Sequence, residues 1–104
     1  MISKAAIYAR GQNITYQIGA AAAFMTDREL HLTGLYVDKD ELNEWNRLMT
    51  DCARDSIDAI IVCNMDAISG KTEELLTMGE ILPVPVIGAE ALFCTDENLN
   101  LEKL

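Results

Sequence analysis

Residues Ala5-Ala6-Ile7-Tyr8-Ala9 form an unbroken apolar run that ends on Arg10. A strand that is apolar at every position has no face to give to water. It belongs inside a sheet covered on both sides, the situation of parallel strands flanked by helices. Ile57 to Cys63, with Ala59-Ile60-Ile61-Val62 at its centre, makes the same demand. Two such strands far apart in sequence, separated by helix-like segments, imply strand-helix-strand crossovers.

The intervening segments have helical spacing. Asn13 can cap a first helix running to about Leu30, with Ile18, Ala21, Ala22 and Met25 on one face. Leu32–Val37 reads as a second strand. Asp38 or Asp40 can cap a second helix through about Arg54, with Leu42, Trp45, Leu48, Met49 and Cys52 on its inner face. Ser69 or Thr72 can open a third helix through about Gly79, carrying Leu75, Leu76 and Met78. Pro83-Val84-Pro85-Val86-Ile87 reads as a fourth strand, and its prolines place it at a sheet edge, because each removes a ladder donor. The expected fold is α/β: a three-layer, mostly parallel sheet of four to five strands with helices on both faces. It forms one domain over residues 1–95, followed by a polar tail over 96–104 anchored by Leu99, Leu101 and Leu104.

The charge is uneven. The chain carries 17 acids and 8 bases, a net of −9. Lys4, Arg10 and Arg28 outweigh Asp27 and Glu29 in residues 1–37, while residues 38–104 hold the remaining fifteen acids and five bases. Binding DNA unaided requires several cations set against phosphates, so autonomous nucleic-acid binding is not expected. No apolar run is long enough to span a membrane and no leader pattern opens the chain, which points to the cytoplasm. Cys52, Cys63 and Cys94 are widely spaced, with no Cys-x-x-Cys pair. They read as reduced, packed thiols, and neither a metal site nor a cofactor is expected. His31, the one histidine, falls where the first helix gives way to the second strand and suits a helix C-terminus. Trp45 reads as core or interface.

In open parallel sheets chemistry gathers beyond the carboxyl ends of the strands. Those ends are Arg10 to Asn13, Val37 to Asp40 and Cys63 to Gly70. The residues there resemble the catalytic domain of the serine recombinases (the resolvase/invertase family). Ala6-Ile7-Tyr8-Ala9-Arg10 is similar to the family's opening strand. Gln17 stands like the glutamine of its Ser-x-x-x-Gln. Tyr36-Val37-Asp38 is similar to its Tyr-x-Asp, and Ile57-Asp58-Ala59-Ile60-Ile61-Val62 with Asn64-Met65-Asp66 to its third strand and the Leu-Asp-Arg beyond. The resemblance covers about residues 3–95 and implies a resolvase-like fold, with Tyr8, Arg10, Gln17 and Asp66 as the family positions that remain.

The departures fall on the chemistry. The family's nucleophilic serine stands two residues beyond the arginine, where this chain has Gln12. No arginine follows Asp38 at the matching point, and Ala67 and Gly70 replace the two arginines expected after Asp66. A phosphodiester exchange through a phosphoserine needs its hydroxyl and preorganised cations around the phosphoryl oxygens. The expectation is a non-catalytic resolvase-like domain acting through protein contacts, as a homodimer or paired with a DNA recombinase of a mobile element, with Arg10 and Asp66 forming a structural ion pair. Two alternatives stand beside it. One is a working component of a DNA recombination system. The other is a module binding small anionic ligands around Arg10, Asn13, Asn64 and Asp66.

Overall fold

A computed structural model describes residues 2–39, 43–54, 57–64, 83–90 and 93–94. The elements run β1 (Lys4–Arg10), α1 (Ile14–Asp27), β2 (His31–Asp38), α2 (Asn43–Arg54), β3 (Ala59–Val62), β4 (Val86–Gly88) and β5 (Phe93–Cys94). The sheet order is β2-β1-β3-β4-β5. The first four strands in that order are mutually parallel, and β5 returns antiparallel against β4. This is the expected α/β architecture. The third helix, the polar tail, Asp40 and Asp66 fall outside the described residues.

β1 runs where its apolar pattern places it. From Ala5 to Arg10 every residue is buried, because the strand lies between β2 and β3 and is covered on both faces. Its alternate residues feed two cores. Ala6 and Tyr8 join Tyr36, Leu48, Cys52, Ile57, Ile60, Val62 and Val86 beneath α2. Ala5 and Ile7 join Ala21, Phe24, Met25, Ala59, Ile61 and Ile87 beneath α1. Ala5 pairs in register with Ala59, and this small-residue floor lets α1 settle close through Ala21. A buried Leu- or Ile-sized side chain contributes about 1.5–3 kcal/mol. Ile7, Leu48, Ile60, Ile61 and Ile87, each at most 1% exposed, therefore anchor the domain.

Four boundaries differ from expectation. The first helix stops at Asp27, not Leu30. Glu29 takes a left-handed conformation (φ 55°), and the Leu30 N–H returns to the Met25 carbonyl at 2.9 Å. That back-bonded turn satisfies the last carbonyls and ends the helix. His31 consequently opens β2, exposed, with its N–H on the Ser3 carbonyl at 2.7 Å. Asn13 does precede α1, but its side chain makes no capping bond; it serves through a left-handed backbone (φ 57°, ψ 43°) instead. β3 is shorter than expected, Ala59–Val62, although Ile57 and Cys63 on either side remain buried.

The fourth difference concerns the prolines. β4 begins at Val86, after both of them, and lies between β3 and β5 rather than at an edge. Pro85 needs no N–H there, since it contributes only its carbonyl, which accepts from the Ile60 N–H at 2.9 Å. The long edge strand is β2.

At the amino end of the sheet Asp58 ties β1 to the segment entering β3. Its Oδ2 accepts from the Ser3 N–H at 3.0 Å and the Lys4 N–H at 2.9 Å. These backbone donors, Lys4 first, hold its carboxyl below the ordinary carboxylate pKa. A depressed folded-state pKa contributes stability that is present above the unfolded value and lost as pH falls through the folded one. Asp58→Asn is therefore expected to cost about 0.5–1 kcal/mol at neutral pH, discounted for the solvent exposure of the group. The gap to wild type should close below about pH 4. Urea unfolding of both proteins across the acid range checks this.

Candidate functional site

The carboxyl ends of β1 and β2 lie together, with Arg10 in register with Asp38 and Tyr8 with Tyr36. Residues in register share a face, so Tyr8, Arg10 and Asp38 all project toward the α2 side. Asp38 is only 1% exposed and its carboxylate is fully engaged. Oδ2 accepts from the Tyr8 hydroxyl at 2.8 Å and the Trp45 N–H at 2.9 Å, and Oδ1 accepts from the Glu44 N–H at 2.9 Å. An acid at the end of a strand thus caps the first turn of α2, where unpaired N–H groups and the helix dipole favour a negative oxygen. Trp45 packs edge-on against the Tyr8 ring, with centroids 5.0 Å apart. It belongs to this wall of the core, as expected.

Gln17 is the second organiser. It is buried in the first turns of α1, and its amide closes on the strand end. Its Oε1 accepts from the Arg10 N–H at 3.0 Å, and its Nε2 donates to the Arg10 carbonyl at 2.8 Å and to the Gln12 carbonyl at 2.6 Å. The cause is visible in the sheet. β1 pairs with β3 only as far as Ile7, so the backbone of Arg10 on that side would lack a ladder partner. A side-chain amide carries the same donor and acceptor as a peptide unit, and Gln17 replaces the missing strand. Gly11, with φ 85°, supplies the turn that follows, and its N–H returns to the Asp38 carbonyl at 3.1 Å.

Gln12 lies two residues beyond Arg10, in the turn after β1. Its side chain is exposed and its carbonyl is held by Gln17. No hydroxyl stands at this point of the loop. Arg10 is buried, within the frame that Tyr8, Asp38 and Gln17 build. The expected Arg10–Asp66 pairing, and the positions of Ala67 and Gly70, lie outside the described residues. Asn13 is exposed and Asn64 half-buried.

A second cluster sits at the ends of β3 and β4. The Tyr16 hydroxyl and the Cys63 thiol both donate to Oε2 of Glu90, the thiol at 3.3 Å. Burial, followed by the Glu90 contact, pushes the Cys63 thiol up to about 11. Burial and the nearby Asp51 charge do the same for Cys52, also to about 11. Thiols in that range are protonated at neutral pH and poor nucleophiles. All three cysteines are free, in keeping with reduced, packed thiols.

Tyr8, Arg10 and Gln17, expected at this end of the sheet, lie together there. Asp38, a candidate cap and the end of Tyr-x-Asp, is also the partner of Tyr8. Glu90 stands out only through its contacts with Tyr16 and Cys63. A lone acid on a turn after a short strand carries no sequence signal of its own.

This arrangement of strands and helices is similar in fold to solved catalytic domains of serine recombinases. The N-terminal catalytic domain of TP901-1 integrase superposes with a TM-score of 0.78 at 19% identity, over 92% of this chain and 84% of that one. The C-terminal catalytic domain of ISC1926 TnpA, an IS607-like serine recombinase, gives 0.68 at 15% identity, over 82% of this chain and 68% of the other. No family model and no curated protein sequence matches the chain.

Proposed function

We propose that this chain is a serine-recombinase-type domain without strand-cleaving chemistry, which works through protein contacts and pairs with or regulates a DNA recombinase. The observation that carries the reading is the state of the loop after β1. Gln12 stands where the resemblance sets the nucleophile, and the Gln17 amide of α1 makes two bonds with the Arg10 backbone and donates a third to the Gln12 carbonyl. An amide cannot form the phosphoserine-type linkage by which the family cuts DNA. Asp38 is likewise committed to the α2 N-terminus and Tyr8. Each missing phosphate-facing cation would remove roughly 3–4 kcal/mol of transition-state stabilisation, and three such positions lack arginine in the sequence.

The acidic charge supports the same reading, since a net of −9 opposes unaided approach to a phosphate backbone. Among the described residues no helix is long and apolar enough to cross a membrane. We place the chain in the cytoplasm, where a recombinase partner would act. The test is a supercoiled-plasmid recombination assay with an intact serine recombinase on its own sites, titrated with this chain. The expected result is a change in the partner's rate, with no cleavage by this chain alone. Cleavage by the chain alone, or no effect on any recombinase from the same cell, overturns the proposal.

A further inference from the structure

We propose that the Tyr16–Glu90 contact is a clasp that closes the first turn of α1 over the Cys63 thiol, so that releasing Tyr16 opens this thiol to soft electrophiles. The proposal goes beyond the function proposed above and does not depend on it. The contact joins residues 74 positions apart. It ties the helix that follows β1 to the turn that follows β4. The Tyr16 hydroxyl and the Cys63 thiol converge on the same oxygen, Oε2 of Glu90, and therefore lie side by side.

The two halves of the clasp are held unequally. Glu90 is anchored twice on Cys63: its N–H donates to the Cys63 carbonyl at 2.8 Å, and its Oε2 accepts from the thiol at 3.3 Å. The Ala89 N–H, on the Val62 carbonyl at 2.8 Å, keeps this turn in line with β3. Tyr16 instead stands in the first turn of α1, whose preceding Asn13 gives no side-chain capping bond. A helix end without such a cap opens more readily than the helix interior. The Tyr16 side chain is 60% exposed, so its hydroxyl bond and not its packing sets its place. From Gln17 onward the helix is fixed to the Arg10 backbone. Opening the clasp therefore moves only Tyr16 and the turn before it.

The Cys63 thiol is 1% exposed although it stands just past the end of β3. Glu90 accepts from it, and the Asn64 Nδ2 donates to its sulfur at 3.8 Å. Cys52 differs, because it is covered by the core beneath α2. Reaching Cys52 requires the core to open, whereas the contact over Cys63 can open locally with the sheet intact.

Alkylation of the native full chain by iodoacetamide, read out cysteine by cysteine with peptide mass spectrometry, tests this. The cysteine sulfur displaces iodide from the reagent's carbon, and the thiol proton passes to buffer. Tyr16→Phe removes the hydroxyl and leaves the Glu90 charge in place, so a faster rate reports uncovering and not thiol acidity. Cys63 should react about 10-fold faster in this variant, the size expected for losing a hydrogen bond to a charged acceptor. Glu90→Ala should accelerate Cys63 at least as much. Adding Tyr16→Phe to Glu90→Ala should add nothing, because the hydroxyl acts through Glu90. In Tyr16→Phe the Cys52 rate and the melting temperature should stay at their wild-type values. An unchanged Cys63 rate in Tyr16→Phe, a rise matched at Cys52, or independent effects in the double variant overturns the proposal.

Discussion

Asp38→Ala is expected to destabilise the domain by about 3 kcal/mol, a capping loss of about 1 kcal/mol combined with a buried Tyr8 hydroxyl left without its acceptor at about 1–3 kcal/mol. For a chain of this size that lowers the melting temperature by roughly 10–20 °C. The reason is geometric. Asp38 is 1% exposed and joins three elements with one carboxylate: β2 by its backbone, α2 through the Glu44 and Trp45 N–H groups, and β1 through Tyr8. Tyr8→Phe should cost less, about 1 kcal/mol, since Asp38 keeps its helix donors. In the double variant the Tyr8 loss should vanish into the Asp38 loss, giving a coupling energy of about 1 kcal/mol or more. Urea unfolding of the four proteins measures it. A residue kept for catalysis alone would show no such coupling and little effect on stability.

Gln17→Leu is the second large effect, with an expected loss of about 2–3 kcal/mol. Leucine keeps the volume but leaves the Arg10 N–H, the Arg10 carbonyl and the Gln12 carbonyl without the amide that serves them. Gln17→Glu separates packing from bonding. Its carboxylate can still accept from the Arg10 N–H, but sets a buried anionic oxygen against the Arg10 and Gln12 carbonyls, so it should cost at least as much as leucine at neutral pH. Native-state hydrogen exchange provides the local readout. The Arg10 amide should exchange faster in Gln17→Leu, while Ile7, inside the β1–β3 ladder, should follow only the global change.

These two side chains also show where the sequence was legible and where it was not. The apolar runs announced β1 and β3, and β1, Lys4–Arg10, extends one residue to either side of the run Ala5–Ala9. The inner face of α2, with Leu48 and Cys52 buried and Trp45 and Met49 packed against the core, follows from spacing alone. Gln17 is different. It lies four residues before Ala21 and seven before Phe24, on the stripe that α1 buries. A polar side chain on a buried stripe implies a buried partner, and that signal was available. The partner was not, because it depends on β3 pairing no further than Ile7 of β1.

The position of β4 escaped for a related reason. Proline argues against a central strand only if it lies within the paired residues. Here the chain places both prolines before Val86 and uses the Pro85 carbonyl alone. The first helix ended early because Glu29 adopted a left-handed turn, a conformation that glutamate does not advertise. At the site, the glutamine two residues beyond Arg10 was plain in the sequence. The structure adds that the neighbouring groups are engaged: Asp38 caps α2, Gln17 holds the strand end, and the Cys63 thiol is held protonated by burial and Glu90.

The central claim, a recombinase-type fold whose strand ends hold the structure together and perform no strand exchange, is tested most directly by covalent trapping on DNA. The full chain and Gln12→Ser are each incubated with supercoiled plasmid bearing the sites of an intact serine recombinase, which serves as the positive control, and quenched in denaturant. The account predicts a protein–DNA adduct for the control and none for either form of this chain, because restoring a hydroxyl at residue 12 restores none of the missing cations. A protease-sensitive adduct through a side-chain hydroxyl of the unmodified chain would contradict it.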